Sequence, residues 1–369
     1  MKKAVVIGGG FAGCTITLIL KQKGFDVTLV EGSPVLGGGC RTFFYHGHPY
    51  TEGPHHLLIN IDEMYVWEFL DKFVKLRELK HHTLTYVSQD SRFYTYPIHQ
   101  DEIVEMPDKE KIYKEIDHRC NVKESKNFEE YWINSIGQTL YEKFIKTYSL
   151  KMWGIKNNKE IDEFAYSPKG ATIKTGSKQC FEGKKIIGYP LRLDGYNSYF
   201  DMCVEGCKVI YNVFINKFDL ENKRVWAANQ WISGDVIINT SSPDGVFDYC
   251  FGELRYIGRD FLKIILPVKR IIPEPYFYLH YPGEEENYTR IVEYKLLTGY
   301  ESLDTLIGIE FPSFKNKLYP YPIRSEIEKA EKYIKLFPKN TYSIGRMGKY
   351  KYDNMSEVIK DCLNLKDSI

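Results

Sequence analysis

The chain has 369 residues, 43% of them hydrophobic and 27% charged, with a formal net charge of +1. This supplies enough apolar surface for two or three folded domains and excludes a disordered or strongly basic chain, so neither nucleic acid nor an acidic membrane surface is an expected partner. The longest apolar stretch, Phe261–Val268, is interrupted by Lys263, and nothing approaches the roughly 18 residues of a membrane span.

Ala4–Ile7 is a short apolar run that ends in glycines, the pattern of a buried parallel strand. The run is too short for a signal peptide and the glycine-rich turn already begins at residue 8, so the start of the chain reads as structure. Phe11–Lys23 places apolar residues at helical spacing and stops at Gly24, and Asp26–Val30 is a second apolar strand closed by Glu31. Together these segments predict a βαβ unit. The stretch 61–150 reads as mostly helical, with long helix-period patterns over Met64–Leu79 and Glu129–Tyr148. From about 165 to 325 the texture changes to short aromatic and β-branched runs between Gly, Pro and Asn, such as Lys208–Val213, Asp235–Asn239, Arg290–Tyr294 and Ile307–Phe311. A helix over Ser325–Phe337, a strand over Thr341–Ile344 and a closing helix capped by Asn354 complete the chain. The expected fold is therefore α/β: a Rossmann-like domain discontinuous over 1–60, 200–242 and 335–369, a helical lobe over 61–150, and a mixed or antiparallel sheet domain over 151–199 and 243–334.

The eight cysteines are scattered and include no CxxC pair, so reduced thiols are expected rather than a disulfide framework or a zinc site. The 29 Tyr and 21 Phe fit a large aromatic core or a cleft lined by tyrosines.

Gly8-Gly-Gly-Phe-Ala-Gly13 fits GxGxxG between a strand and a helix, the context that a dinucleotide fingerprint requires. Gly8 would make the tight turn, Gly10 would let the backbone approach a pyrophosphate, and Gly13 would let helix and strand pack closely. The N–H groups at Phe11 and Ala12 open the helix towards the phosphates. Glu31 at the end of the second strand is placed to accept ribose hydroxyls. Beyond it comes a second glycine cluster, Gly37-Gly-Gly-Cys-Arg-Thr42, with Gly38 and Gly39 at its centre. This cluster resembles FAD enzymes more than NAD dehydrogenases, so FAD is the expected cofactor.

Five further segments resemble the flavin-dependent UDP-galactopyranose mutases: Glu52-Gly-Pro-His-His-Leu-Leu-Ile59, Ile133–Gly154 with its Tyr148 and Trp153-Gly154 close, Phe247-Asp-Tyr-Cys-Phe-Gly252, Tyr288-Thr-Arg-Ile-Val-Glu-Tyr-Lys295 and Gly345–Met355. They occur in family order over nearly the whole chain. The resemblance implies an isomerase that interconverts the pyranose and furanose forms of a nucleotide-diphosphate sugar through a flavin N5–sugar adduct, with FAD active only when reduced. It implies roles at the substrate diphosphate for Arg290, Tyr352 and Tyr321. Trp153 is implied beside the sugar, with Tyr148 in the same substrate segment, and His55 on the flavin side. Arg346, Asn354 and Met355 are implied to flank the flavin. It also implies a cytoplasmic enzyme of cell-surface polysaccharide biosynthesis, with NAD(P)H or a reductase as electron source, and is compatible with a homodimer.

The departures are specific. The family's second histidine falls on Leu58. The mobile-loop segment that carries a second diphosphate arginine corresponds to Tyr166-Ser-Pro-Lys-Gly170, which has none. Lys169, Lys174, Lys178 and Arg192 are the candidates to replace its charge, with Lys169 the one inside that segment. The family's uridine-holding stretch has no counterpart between Gly170 and Tyr189, which leaves base and sugar open between UDP-galactose and a variant NDP-sugar. An amine-oxidase- or desaturase-like oxidoreductase, or a flavoprotein without turnover, are the alternative readings.

Overall fold

The computed structural model describes residues 1–163, 171–181, 183 and 185–369. The chain divides into two compact units: Met1–Arg77 with Gly188–Arg255 and Ser325–Ile369, and Glu78–Ile187 with Tyr256–Arg324.

The first unit is built on a five-stranded sheet in the order Lys208–Ile210, Asp26–Val30, Lys3–Ile7, Val236–Asn239, Thr341–Ser343. All four pairings are parallel. Buried parallel strands need apolar residues on both faces, and Ala4, Val5 and Val6 are at most 1% exposed. The helix Phe11–Gln22 follows as expected, with Lys23 as its C-cap and Gly24 at a φ of +80°, the left-handed geometry that ends a helix. Its first ten residues are buried, and Leu18, Ile19 and Leu20 pack in one core with Leu57, Ile59, Tyr199, Phe200 and the last helix's Val358 and Ile359. Each such large apolar side chain contributes on the order of 1.5–3 kcal/mol by leaving water.

The second unit is built on a seven-stranded sheet, ordered Tyr319–Pro320, Tyr256–Leu266, Thr305–Ser313, Arg290–Glu293, Tyr278–His280, Thr83–Val87, Arg92–Tyr96. Every pairing is antiparallel except that of Tyr278–His280 with Thr83–Val87. The long ribbon of Tyr256–Leu266 on Thr305–Ser313 keeps register from Gly258↔Ser313 to Leu266↔Thr305. Gly308 is required inside it, because a Cβ there would lie 2.0 Å from the Phe261 ring.

The stretch 61–150 is less helical than its sequence suggests. The expected helix over Met64–Leu79 stops at Asp71, and Leu76–Glu78 is a strand. Asp71 turns the chain by accepting the Leu76 N–H at 2.9 Å and the Lys75 ammonium at 2.6 Å, which lets Val74 and Leu76 enter the core. Thr83–Val87 and Arg92–Tyr96 are strands as well. The helix pattern over Glu129–Tyr148 is divided at Gly137 (φ +90°) into Phe128–Ile136 and Gln138–Tyr141, followed by a wider π turn over Glu142–Lys146 and the helix Thr147–Trp153. The π turn carries Lys143, 5% exposed, which reaches Asp90 at 2.6 Å and Asp108 at 2.7 Å. Tyr94 donates to the same Asp90 at 2.9 Å. The Lys143 ammonium holds the Asp108 carboxyl below its ordinary range. Among the described residues no helix is long and apolar enough to cross a membrane.

Candidate functional site

In the first unit the glycine turn has the geometry its sequence requires. Gly8 sits at φ +92° with its N–H on the Val30 carbonyl at 2.8 Å. A Cβ on Gly13 would lie 1.8 Å from the Gly8 carbonyl oxygen, so helix and strand approach as closely as the third glycine allows. A Cβ on Gly10, by contrast, would meet nothing within 4 Å. That open space lies at the N-terminus of the helix Phe11–Gln22, which no side chain caps. Uncapped N–H groups beside bare backbone form an anion cradle. Phe11 and Ala12 contribute through their backbone: the Phe11 ring is committed to Tyr196, Tyr199 and Phe200 at centroid distances of 5.5, 5.5 and 5.2 Å.

Glu31 closes the same turn. Its carboxylate accepts the Gly9 N–H at 2.5 Å and the Ser33 N–H at 2.8 Å, one on each oxygen. Each oxygen keeps a lone pair for a further donor such as a ribose hydroxyl. The second glycine cluster folds against the first, with the Gly37 N–H on the Gly9 carbonyl at 2.8 Å. Gly38 and Gly39 are exposed, and a Cβ on them would lie 3.6 Å from the Gly10 Cα and 3.7 Å from the His55 Nε2 respectively. Gly10, Gly38, Gly39 and His55 thus adjoin one another.

The C-terminal segment belongs to the same unit. Arg346 lies 5.6 Å over the Tyr352 ring and donates through Nε to the Asp353 carbonyl at 2.8 Å. The Asn354 side chain caps the last helix, Met355–Leu365, accepting the Ser356 and Glu357 N–H groups at 2.9 and 3.2 Å, while Glu357 accepts the Asn354 N–H at 2.8 Å. This reciprocal box occupies Asn354, and the Met355 N–H remains a donor with no protein acceptor among the described residues. Met355 is 8% exposed and meets Cys40, whose thiol burial pushes up to about 12. Asn354→Ala should lower the stability of this unit by about 0.5–2 kcal/mol, read as a drop in Tm, and Asn354→Asp should retain the cap.

In the second unit Arg290 is the cross-strand partner of Glu310. Its Nε and Nη2 donate to one oxygen, Oε2, at 3.0 and 2.6 Å. Glu310 is 1% exposed and the Arg290 side chain 20%. Burial is the largest single influence and would lower the arginine's pKa, but the Glu310 charge together with Tyr148, Tyr319 and Tyr278 outweighs it and holds the guanidinium well above its ordinary value. His280, the other register partner of Arg290, is ringed by Tyr148 at 5.4 Å, Tyr96 at 5.5 Å and Tyr278 at 5.1 Å. Burial raises the hydroxyl pKa of Tyr96 and Tyr278, so these are neutral hydrogen-bonding groups at any ordinary pH.

Two residues expected at the substrate are placed differently. Trp153 is fully buried and Tyr321 is 2% exposed; their rings lie 5.8 Å apart and the Tyr321 hydroxyl donates to the Trp153 carbonyl. Neither side chain presents surface to a ligand. The tyrosine that meets the Arg290 environment is Tyr319, two residues earlier, in the strand paired with Tyr256 and Ile257. Sequence reasoning missed Tyr319, Glu310 and His280. The proximity of Glu310 to Arg290 rests on a strand register that no local signal announces. Of the cations considered as substitutes for a loop arginine, Lys174 is held by the Gln179 carbonyl, and Lys178 pairs with Glu102 at 2.8 Å. Arg192 pairs with Asp194 at 2.8 Å in the first unit. Lys169 and the rest of Tyr166–Gly170 lie outside the described residues.

Comparison with known proteins bears on the family and the fold. The sequence model of the UDP-galactopyranose mutase family matches residues 143–352, and that of an NAD(P)-binding Rossmann-like domain matches 6–73. The chain is 24% identical over 393 aligned residues to a probable UDP-galactopyranose mutase of Klebsiella pneumoniae, covering 99% of this chain and 94% of that one. It is 25% identical over 384 residues to the dTDP-fucopyranose mutase of Escherichia coli, covering 98% and 97%. A crystal structure of reduced UDP-galactopyranose mutase has the same fold, with a TM-score of 0.82 over 100% of this chain and 95% of the other at 18% identity.

Proposed function

Because the chain belongs to the UDP-galactopyranose mutase family, a family of isomerases, we propose that it is a reduced-FAD-dependent mutase interconverting the pyranose and furanose forms of a nucleoside-diphosphate sugar. The observation that carries the cofactor half of this reading is the open space at Gly10. A pyrophosphate fits where the helix N-terminus is uncapped and a Cβ would be the first obstacle. Glu31 would hold the ribose, the exposed Gly38 and Gly39 would let the cofactor run past His55, and the Met355 N–H would meet the flavin's polar edge. Bound and reduced, the flavin supplies a nucleophilic nitrogen for the anomeric carbon.

The residues of this chain would manage the leaving group. As the anomeric bond breaks, negative charge develops on the diphosphate, and donors fixed in advance stabilise it most. Arg290 is such a donor: Glu310 takes its Nε and one terminal nitrogen, which orients the guanidinium and leaves Nη1 to a phosphate oxygen. Tyr148 and Tyr319, which both act on the Arg290 guanidinium, would add hydroxyl donors there. Trp153 and Tyr321 support this wall by packing. Tyr352 and Arg346 belong to the first unit, and the resemblance supports Tyr352 as a further diphosphate contact. A cytoplasmic role in making cell-surface polysaccharide, with electrons from NAD(P)H or a reductase, completes the reading.

The two curated relatives act, by their names, on a UDP-sugar and a dTDP-sugar, and are almost equally similar to this chain. The base is therefore decided by experiment. Purified protein should carry non-covalent FAD, and a thermal-shift panel of UDP, dTDP, GDP and CDP should raise Tm most with the preferred base, since ligand binding stabilises by mass action. Colourless protein indifferent to added FAD, or a flat response to all four nucleotides, would count against the reading.

A further inference from the structure

The Arg290–Glu310 pair has a consequence for charge. A guanidinium bonded twice to a buried carboxylate is formally neutral, while a nucleoside diphosphate brings a dianion or more. A site with only this pair would gain orientation from Arg290 and little net attraction, so a second cation is needed.

Arg259 fits that need. It lies on Tyr256–Leu266 opposite Pro312, while Glu310 stands opposite both Phe261 and Arg290. Residues directly opposite share a face, and so do residues two apart on one strand. Arg259, Glu310 and Arg290 therefore project from the same face of the sheet, with the Arg290 Cα two strand spacings across and two residues along from that of Arg259, ~12 Å away. Tyr319, on the edge strand beside Ile257, is linked to both: the Arg259 guanidinium lies 4.9 Å over its ring, and it also acts on the Arg290 guanidinium.

Arg259 is 7% exposed, yet it takes part in no ion pair among the described residues. Its Nη1 donates to the carbonyl of the preceding Gly258, and its buried Nε has no hydrogen-bond partner. A buried arginine without a carboxylate is costly unless an anion completes it. The backbone around it is also fixed. The Asn316 side chain accepts the Arg259 N–H at 3.0 Å and donates to the Arg259 carbonyl at 2.9 Å. Gly258 makes this possible, since a Cβ there would lie 1.8 Å from the Asn316 Oδ1. The arginine is thus held in place without being neutralised.

We infer that Arg259 is a second diphosphate-binding cation of this site, supplying from a rigid strand the charge that the family resemblance assigns to a loop arginine absent here. The inference rests on the mutase reading, and the test separates the two. Nucleoside diphosphate and monophosphate of the preferred base are titrated calorimetrically into the oxidised holoenzyme, wild type, Arg259→Gln and Arg259→Lys, with flavin content and ligand-free Tm as folding controls. Arg259→Gln should weaken the diphosphate by roughly 10- to 150-fold, the range for hydrogen bonds to a charged group, and the monophosphate by much less. Arg259→Lys should fall between, because an ammonium keeps the charge and loses the planar fork. Should the Gln variant not fold, the Lys variant decides by the same comparison. Diphosphate affinity equal to wild type, or equal losses for both nucleotides, would overturn the inference while leaving the mutase reading in place. A wild-type protein that binds no nucleoside diphosphate overturns both.

Discussion

Arg290→Ala is expected to lower single-turnover isomerisation by at least about 100-fold while flavin content stays near wild type. The arginine supplies both charge and aligned donors at the group where charge develops, and hydrogen bonds to charged groups are worth about 1.5–3 kcal/mol each. The structure adds a complication that the test must absorb. Removing Arg290 strands Glu310, 1% exposed, as a buried carboxylate, at a cost of about 3–5 kcal/mol in stability. The double variant Arg290→Ala/Glu310→Gln removes that charge and should recover most of the lost Tm without recovering the rate. Recovery of both in the double variant would show that Arg290 acts only by neutralising Glu310, and would misplace the diphosphate.

Gly10→Val and Gly13→Ala should fail in different ways, although both sit in one fingerprint. At Gly10 an added side chain meets open space, so the protein should fold with the Tm of wild-type apo-protein and fail to take up FAD. At Gly13 the added carbon would lie 1.8 Å from the Gly8 carbonyl oxygen and 2.9 Å from its carbon, so strand and helix must separate. Overpacking of this kind costs about 1–3 kcal/mol or more and should lower Tm before any ligand is considered. Titration of apo-protein with FAD, followed by quenching of flavin fluorescence, separates the two. Normal FAD affinity in Gly10→Val would remove the pyrophosphate from this turn.

The dinucleotide end was legible because its requirements are local. A glycine turn, a helix start and an acid at a strand end are contiguous features, and the structure forms them within a residue or so of the expected boundaries. The Asn354 cap was legible for the same reason. The wall around Arg290 was only half legible. Its arginine stands in a recognisable segment, but Glu310 meets it, and Arg259 shares its face of the sheet, only through cross-strand register. Tyr319 meets the Arg290 environment, whereas Tyr321, just past the end of the short strand Tyr319–Pro320, sends its hydroxyl to the Trp153 carbonyl, a contact from far along the chain. The helix-period patterns misled where a single side chain or glycine stops a helix, as Asp71 and Gly137 do. Trp153 was legible as a motif residue, but its burial depends on the packing of Tyr321 from far along the chain.

The central claim is that the protein turns over a nucleotide sugar only with reduced flavin and with no net oxidation. It is tested most directly by incubating holoenzyme anaerobically with UDP-galactopyranose and, separately, dTDP-fucopyranose, with and without dithionite, and resolving the ring forms by anion-exchange chromatography. The account predicts furanose product from at least one of the two under dithionite and none with oxidised flavin. Oxygen consumption by oxidised enzyme without any change of ring form, or no furanose from either sugar with fully reduced flavin, would contradict it.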